Sequence, residues 1–201
     1  FLSGSYLDQR SIWESDATQF KRYNFRSNIS AEITDRLTAE VNVGGIVKDL
    51  HTPVAATPGL IINGIRRSLP TYRAFANGNP NYYGMNSIGA NVLAEMDDDY
   101  SGAIDDLEKE LVASGSINYK IPGVEGLSAK AFYSYKFENR DLSSYRKRYE
   151  LYTYDATDES YAPTVLQNPT ALNKSNRNIV QTVFQGSLSY GRTFANKHNV
   201  K

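Results

Sequence analysis

Residues 21–47 alternate between apolar and polar side chains, and this pattern constrains the fold more than any other feature. A β-strand points successive side chains to opposite faces, so the alternation predicts a strand with one apolar and one polar face. The run is interrupted only at 34–36, which predicts two long strands joined by a tight turn. The apolar positions are Tyr23, Phe25, Ile29, Ala31, Ile33, Leu37, Ala39, Val41 and Val43.

The length and polarity of these strands suit a membrane better than a soluble sandwich. A membrane-spanning strand needs about 9–11 residues, apolar toward lipid and polar toward the barrel interior. Mean hydropathy is −0.50 and hydrophobic content is 40%. These values exclude a bundle of membrane helices but are compatible with a transmembrane barrel, in which only alternate residues face lipid.

The amino-acid composition further limits the kinds of protein and of binding partner that the chain is compatible with. The 22 basic and 22 acidic residues cancel, so no nucleic-acid partner is indicated. The absence of cysteine excludes disulfides and thiolate metal sites. Tyrosine, with 15 residues, suits a membrane–water interface and also a sugar-binding surface, so its abundance leaves both interpretations open.

Similar alternation recurs along the chain and predicts an all-β fold, a long antiparallel up-and-down meander. Short turns at 34–36, 122–126 and 195–199 lie at one end of the strands. Long loops at 49–106 and 141–178 lie at the other end, as is typical of outer-membrane barrels with their long loops outside the cell. The six predicted strands are 1–13, 20–33, 37–48, 107–121, 127–140 and 179–193.

Six strands are too few to close a transmembrane barrel, because known examples begin at about eight. Open sheet edges are not tolerated in lipid. We therefore expect the chain to be part of a larger transmembrane barrel, with both of its ends lying within a longer protein.

Four segments carry a resemblance to a known family. They are FKRYNFRSNISAEITDRLTAEVNVGG, NPNYYGMNS, DDDYSG and INYKIPGVEGLSAKAFYSYKF. In these segments the chain resembles the barrel of SusC/RagA-type TonB-dependent transporters of the outer membrane of Gram-negative bacteria. The resemblance covers nearly the whole chain.

This resemblance implies a 22-stranded barrel with an N-terminal plug, of which the plug is not in the sequence. It also implies import of glycans or peptides, a SusD-like surface lipoprotein as partner, outer-membrane lipid around the barrel, and TonB acting through the plug. No enzymatic activity is expected. Two alternatives stay open: a passive porin or surface adhesin barrel, and a soluble β-rich glycan-binding module.

An acidic segment beginning at residue 97 fits the spacing of a calcium-binding loop. Gly102 would supply the sharp turn, and Ca²⁺ would be the only cofactor. The alternative is a solvated acidic loop, favoured by the absence of predicted flanking helices. The candidate ligands are Asp97, Asp99, Ser101, Ala103, Asp105 and Glu108.

A group of aromatic, amide and arginine side chains in the first long loop is the candidate substrate site. Aromatic rings stack on sugars, and amides and guanidinium groups bind hydroxyls or carboxylates. Internal packing of the loop is the competing interpretation, which we favour because long loops need such packing to be ordered. The candidates are Tyr72, Arg73, Asn81, Tyr82 and Tyr83, with Asn77 and Asn79 nearby.

Charged residues on the polar faces are predicted to point into the barrel interior and mostly to pair with one another. His51 and His198 lack companion ligands in the sequence, so neither indicates a metal or catalytic site. The predicted interior residues are Arg22, Arg26, Glu32, Glu40, Lys130 and Lys136.

Overall fold

A computed structural model of the chain describes residues 1–11, 18–54, 58–194 and 198–200. Of residues 58–61, 194 and 198–200 it describes the backbone alone, and this includes His198. The end of the predicted strand 1–13 and most of the predicted turn 195–199 lie outside the described residues.

The fold is mostly antiparallel β-sheet, and its main sheet is a six-stranded meander in the order β1-β2-β3-β4-β5-β8. The strands are β1 (Leu2–Arg10), β2 (Gln19–Thr34), β3 (Leu37–Pro53), β4 (Gly102–Lys120), β5 (Leu127–Arg146), β6 (Tyr149–Asp155), β7 (Ser160–Leu166), β8 (Ala171–Tyr190), β9 (Arg192–Phe194) and β10 (His198–Val200). The helices are α1 (Pro58–Arg67), α2 (Val92–Met96) and α3 (Asp98–Ser101), with a 3₁₀ turn at Ala76–Gly78.

The strands of this sheet extend further into the predicted long loops than the alternation indicates. β3 continues to Pro53 and β4 begins at Gly102, where the prediction was 48 and 107. β5 likewise runs to Arg146 and β8 begins at Ala171. The reason is that the backbone ladder does not need apolar side chains: β3 and β4 pair without interruption from Leu37 and Tyr119 to Pro53 and Ala103.

One face of the sheet, here called the apolar face, carries most of the large apolar side chains of the strands. The register sets Phe25, Gly45, Leu111, Phe137 and Val180 side by side across five strands. The Phe25 ring lies over Gly45, where any β-carbon would collide with it. These side chains are not covered: Ile29 is 60% exposed, Ile117 53% and Tyr133 50%.

The opposite face, here called the polar face, holds the charges and amides. Its ion pairs connect neighbouring strands, with Lys48 Nζ 2.7 Å from Glu108 and Lys136 Nζ 3.0 Å from Glu110. Some of its carboxylates are well covered, with the side chains of Asp106 and Glu138 only 16% and 18% exposed. These two carboxylates are thus more shielded than the large apolar side chains on the other face.

The buried apolar side chains of the described residues all lie outside the six-stranded sheet, apart from Pro53 at the end of β3. They are Ala76, Ala94, Met96, Tyr149 and Leu151. The sheet therefore has no second layer packed against its apolar face among these residues. No helix in the described part of the chain has the length and apolar character needed to cross a membrane.

Candidate functional site

The two long connections of the main sheet leave it at the same end and fold together into one unit, here called the loop cap. It consists of residues 58–101, which connect β3 to β4, and residues 147–170, which connect β5 to β8. The first part contains the three helices, and the second contains the β6–β7 hairpin.

A small hydrophobic core holds the cap together. Leu151 and Ala94 are 0% exposed, and Tyr149 is 6% exposed. The alternation of β6 explains this arrangement, since Tyr149 and Leu151 point to the same side of the hairpin, toward α2. Four partly buried side chains complete the cluster: Tyr83, Met85, Tyr100 and Leu166.

Backbone hydrogen bonds join the two connections directly. The Met85 N–H donates to the Tyr152 carbonyl at 2.9 Å, and the Tyr152 N–H donates to the Tyr83 carbonyl at 2.8 Å. Residues 83–85 thus extend the β6–β7 hairpin on its β6 side. Because the bonds cross from one connection to the other, the two cannot move apart without breaking them.

Asn91 fixes the start of α2 and is a structural residue that sequence reasoning missed. Its side-chain oxygen accepts hydrogen bonds from the N–H groups of Leu93 and Ala94, which is N-terminal capping. Its amide group donates to the carbonyls of Ala74 and Gly84 at 2.8 and 2.6 Å. An Asn directly before an apolar run is a recognised N-cap signal, and it identifies the residue in retrospect.

The predicted substrate residues Tyr82 and Tyr83 point to opposite sides of the cap. The Tyr82 ring stacks on Tyr161 with centroids 4.2 Å apart and meets Tyr152 edge-on at 4.7 Å. The Tyr83 ring enters the cap core, and its hydroxyl donates to Asp97 at 2.8 Å. Both therefore contribute to packing, as the competing interpretation expects, and Tyr82 with its neighbours also forms an aromatic surface.

The remaining candidates of this group lie nearer the surface. Tyr72 hydrogen-bonds to Ser87 and, together with the exposed Arg73, lines a cavity of about 160 Å³ beside α2. Asn81 is exposed, and its N–H donates to the side-chain oxygen of Asn79 at 3.1 Å. The structure thus distributes the predicted group over several surfaces of the cap.

Two tyrosines of the cap core are held in their neutral form. Burial and the hydrogen bond to Asp97 raise the pKa of Tyr83 to about 12. Burial and the nearby charge of Glu95 raise the pKa of Tyr149 to about 12. These hydroxyls therefore stay protonated at physiological pH and do not serve as bases.

The candidate calcium ligands belong to several structural elements. Asp97 caps α3 by accepting from the Tyr100 N–H at 3.1 Å, and Ser101 is buried at the end of that helix. Asp105 and Glu108 lie in β4, three residues apart, so they point to opposite faces of the sheet. No group of three or more metal-binding side chains is found among the described residues.

His51 links the cap to the sheet through two carboxylates. Its Nδ1 lies 2.6 Å from Asp105 on the neighbouring strand, and its Nε2 lies 2.8 Å from Asp98 of α3. His51 lies four residues beyond Val47, where the apolar stretch of β3 ends. Burial lowers the pKa of His51, but hydrogen bonds and charge from the two aspartates raise it, and the net pKa lies above 6.5.

The predicted interior residues Arg22, Arg26, Glu32, Glu40, Lys130 and Lys136 all lie in strands of the main sheet, and the register places them on the polar face. Only Lys136 forms an ion pair with a described residue. Glu40 accepts a hydrogen bond from the Ser116 hydroxyl at 3.3 Å. The expectation that most of this set are paired therefore does not hold within the described part of the chain.

Comparisons with known proteins do not identify the chain. No protein-family model matches it, and no curated protein matches it.

Leu151→Ala should destabilise the cap selectively. Removing a fully buried leucine leaves a cavity and costs about 2–5 kcal/mol. We expect loss of amide hydrogen-exchange protection in β6 and in residues 83–85, with protection of the main sheet unchanged. Val165→Ala in β7 is the matched control, because Val165 is 39% exposed, and it should cost under about 1 kcal/mol. Equal loss of protection in both variants would contradict a cap core centred on Leu151.

The raised pKa of His51 predicts that its contribution to stability depends on pH. Since the folded-state pKa exceeds 6.5, the stabilisation is fully present below pH 6.5 and is lost as pH rises through the folded-state value. The difference in thermal unfolding midpoint between wild type and His51→Gln should be largest at pH 6 and shrink toward pH 9. A difference that grows with pH would show that the two aspartates do not stabilise the imidazolium.

Proposed function

We propose that the chain is a barrel segment of an outer-membrane, TonB-dependent transporter of the SusC/RagA type, which imports glycans or peptides. In this proposal the apolar face contacts outer-membrane lipid and the polar face lines the barrel interior. The cap lies on the extracellular side.

The observation that carries the proposal is the inverted polarity of the main sheet. Large apolar side chains such as Ile117 and Tyr133 are about half exposed, while the carboxylates of Asp106 and Glu138 are largely covered. In water this arrangement is unfavourable, because apolar surface costs about 25 cal/mol per Å² when it is left hydrated. In lipid the same surface is in its preferred solvent.

The height of the apolar stretch supports a membrane-spanning role. On β5 it runs from Leu127 to Phe137, and the same face then continues with Asn139, Asp141 and Ser143. Ten residue steps of about 3.4 Å, tilted by about 40° as in transmembrane barrels, give a height of about 25 Å. This equals the apolar band of outer-membrane barrels. Beyond that height polar residues occur on both faces of β5, with Leu142 as an exception, as expected for a strand that projects from the membrane.

The connections support the orientation. The turns at 35–36 and 121–126 are short, while the two connections at the other end build the cap. Long loops at one end and short turns at the other are the pattern of outer-membrane barrels, with the long loops outside the cell.

The import mechanism in this proposal has two stages, and these residues serve the first. The cap and the polar face select and bind the substrate, with a SusD-like lipoprotein as the expected surface partner. Release past a plug that TonB moves is the second stage. The proposal assigns no catalytic step to the chain.

Placing one arginine on each face of β4 tests the membrane assignment. Ile117→Arg puts a charge on the proposed lipid face and should destabilise the protein in lipid vesicles by about 2–4 kcal/mol near the bilayer midplane. Asn118→Arg, one residue away on the polar face, should cost under about 0.5 kcal/mol. Denaturant unfolding in the presence of vesicles measures both. Equal costs, or a protein that stays monomeric and soluble without detergent, would contradict the proposal.

A further inference from the structure

Five residues of β2 project from the polar face at every second position and form what we call the β2 strip. They are Phe20, Arg22, Asn24, Arg26 and Asn28. The strip consists of one aromatic ring, two guanidinium groups and two amides. Its members share a face because side chains two apart in a strand point the same way.

The two arginines of the strip have no carboxylate partner among the described residues. Arg22 donates through Nε to the Asn24 side-chain oxygen at 3.0 Å. By contrast, Arg140 lies 2.5 Å from Asp106, and Arg177 lies 3.2 Å from Glu138. Among the described residues of the polar face, ion pairs thus join β3, β4, β5 and β8, and none of them involves an arginine of β2.

The register explains why no acid reaches these arginines. Arg22 stands opposite Leu7 and Lys48, and Arg26 stands opposite Ser3 and Gly44. The diagonal neighbours on the two flanking strands also lack carboxylates. They are Phe1, Ser5, Gln9, Asn42, Ile46 and Leu50. Arg22 is half-buried and Arg26 is exposed. Two such cations on one strand, with no described anion in reach, favour an anionic ligand.

The geometry around the arginines leaves their donors available. Asn24 is held in place, since its amide donates to the Ser5 hydroxyl at 2.8 Å while its oxygen accepts from Arg22 Nε. That bond leaves the terminal nitrogens of Arg22 free to donate elsewhere. Gly44 has no side chain beside Arg26, so space is left open on the polar face at that point.

We propose that the β2 strip binds an acidic oligosaccharide, with carboxylate or sulfate groups on Arg22 and Arg26. Guanidinium binds such oxyanions through paired hydrogen bonds. The arginines are four residues apart, about 13 Å along the strand, so a ligand that engages both is an oligomer with repeated negative charges. The amides of Asn24 and Asn28 bind hydroxyls, and the Phe20 ring offers an apolar face to a sugar ring. This inference rests on the proposed transport of glycans.

Isothermal titration calorimetry on the protein in detergent micelles tests the inference. The probes are an oligogalacturonate, a neutral galacto-oligosaccharide of the same length and an aspartate-rich peptide. The double variant Arg22→Gln/Arg26→Gln should weaken oligogalacturonate binding by about tenfold or more. It should leave binding of the neutral sugar unchanged. Arg22→Lys/Arg26→Lys keeps the charge but loses the planar guanidinium group. Its affinity for oligogalacturonate should lie between those of wild type and the double glutamine variant.

The matched control is Lys130→Gln/Arg177→Gln, which removes two positive charges from the polar face of β5 and β8. Its affinity for oligogalacturonate should stay within about twofold of wild type, because bulk attraction between separated charges is screened by salt. Equal losses in both double variants, or equal wild-type affinity for acidic and neutral sugars, would overturn the inference. If the aspartate-rich peptide binds more tightly than the oligogalacturonate, the assignment of a sugar as the ligand is overturned.

These outcomes are separable from failure of the proposed function. If the arginine substitutions on β4 show a lipid-facing surface and the acidic sugar is not preferred, only the charge inference fails. If the β4 substitutions behave alike, the membrane assignment fails whatever the strip binds.

Discussion

The structure depends on a continuous antiparallel backbone ladder. From β2 through β5, each strand hydrogen-bonds to a partner on both sides, along up to 20 residue pairs between β5 and β8. A ladder this long satisfies the backbone without water, and this is the condition that any membrane-spanning structure must meet. It also fixes the register, and a slip of one residue would turn every apolar side chain to the polar face.

Different interactions stabilise the main sheet and the cap. Along the sheet, side chains contribute little mutual burial, and the polar face is held by cross-strand ion pairs such as Lys48 with Glu108. In the cap, a hydrophobic core around Leu151 provides the packing that the sheet lacks. His51 connects the two regions by hydrogen-bonding to the sheet at Asp105 and to the cap at Asp98. The cap thus has a buried hydrophobic core of its own, which the main sheet lacks among the described residues.

The sequence predicts much of the sheet and little of the cap, for physical reasons. Alternation at residues such as Tyr133 to Phe137 identifies strands wherever the two faces meet different solvents. Near Asp105 and Asp141 polar residues occur on both faces, so the alternation disappears although the strand continues. The β6–β7 hairpin was missed because Pro163 argues against a strand, yet β7 lies at an edge, where proline is tolerated. Tyr83 lies in the cap core because its ring packs against Tyr100, a tertiary contact that no local sequence pattern reveals.

A spin-label accessibility scan of β5 tests the central claim most directly. The chain has no cysteine, so single cysteines at positions 129–137 can be labelled one at a time in lipid vesicles. Collision with oxygen, which concentrates in lipid, should peak at the odd positions, including Tyr133 and Tyr135. Collision with a water-soluble nickel complex should peak at the even positions, including Ser134 and Lys136, so the two profiles alternate in opposite phase. Profiles that rise and fall together, or that lack a two-residue period, would contradict a sheet with lipid on one face and water on the other.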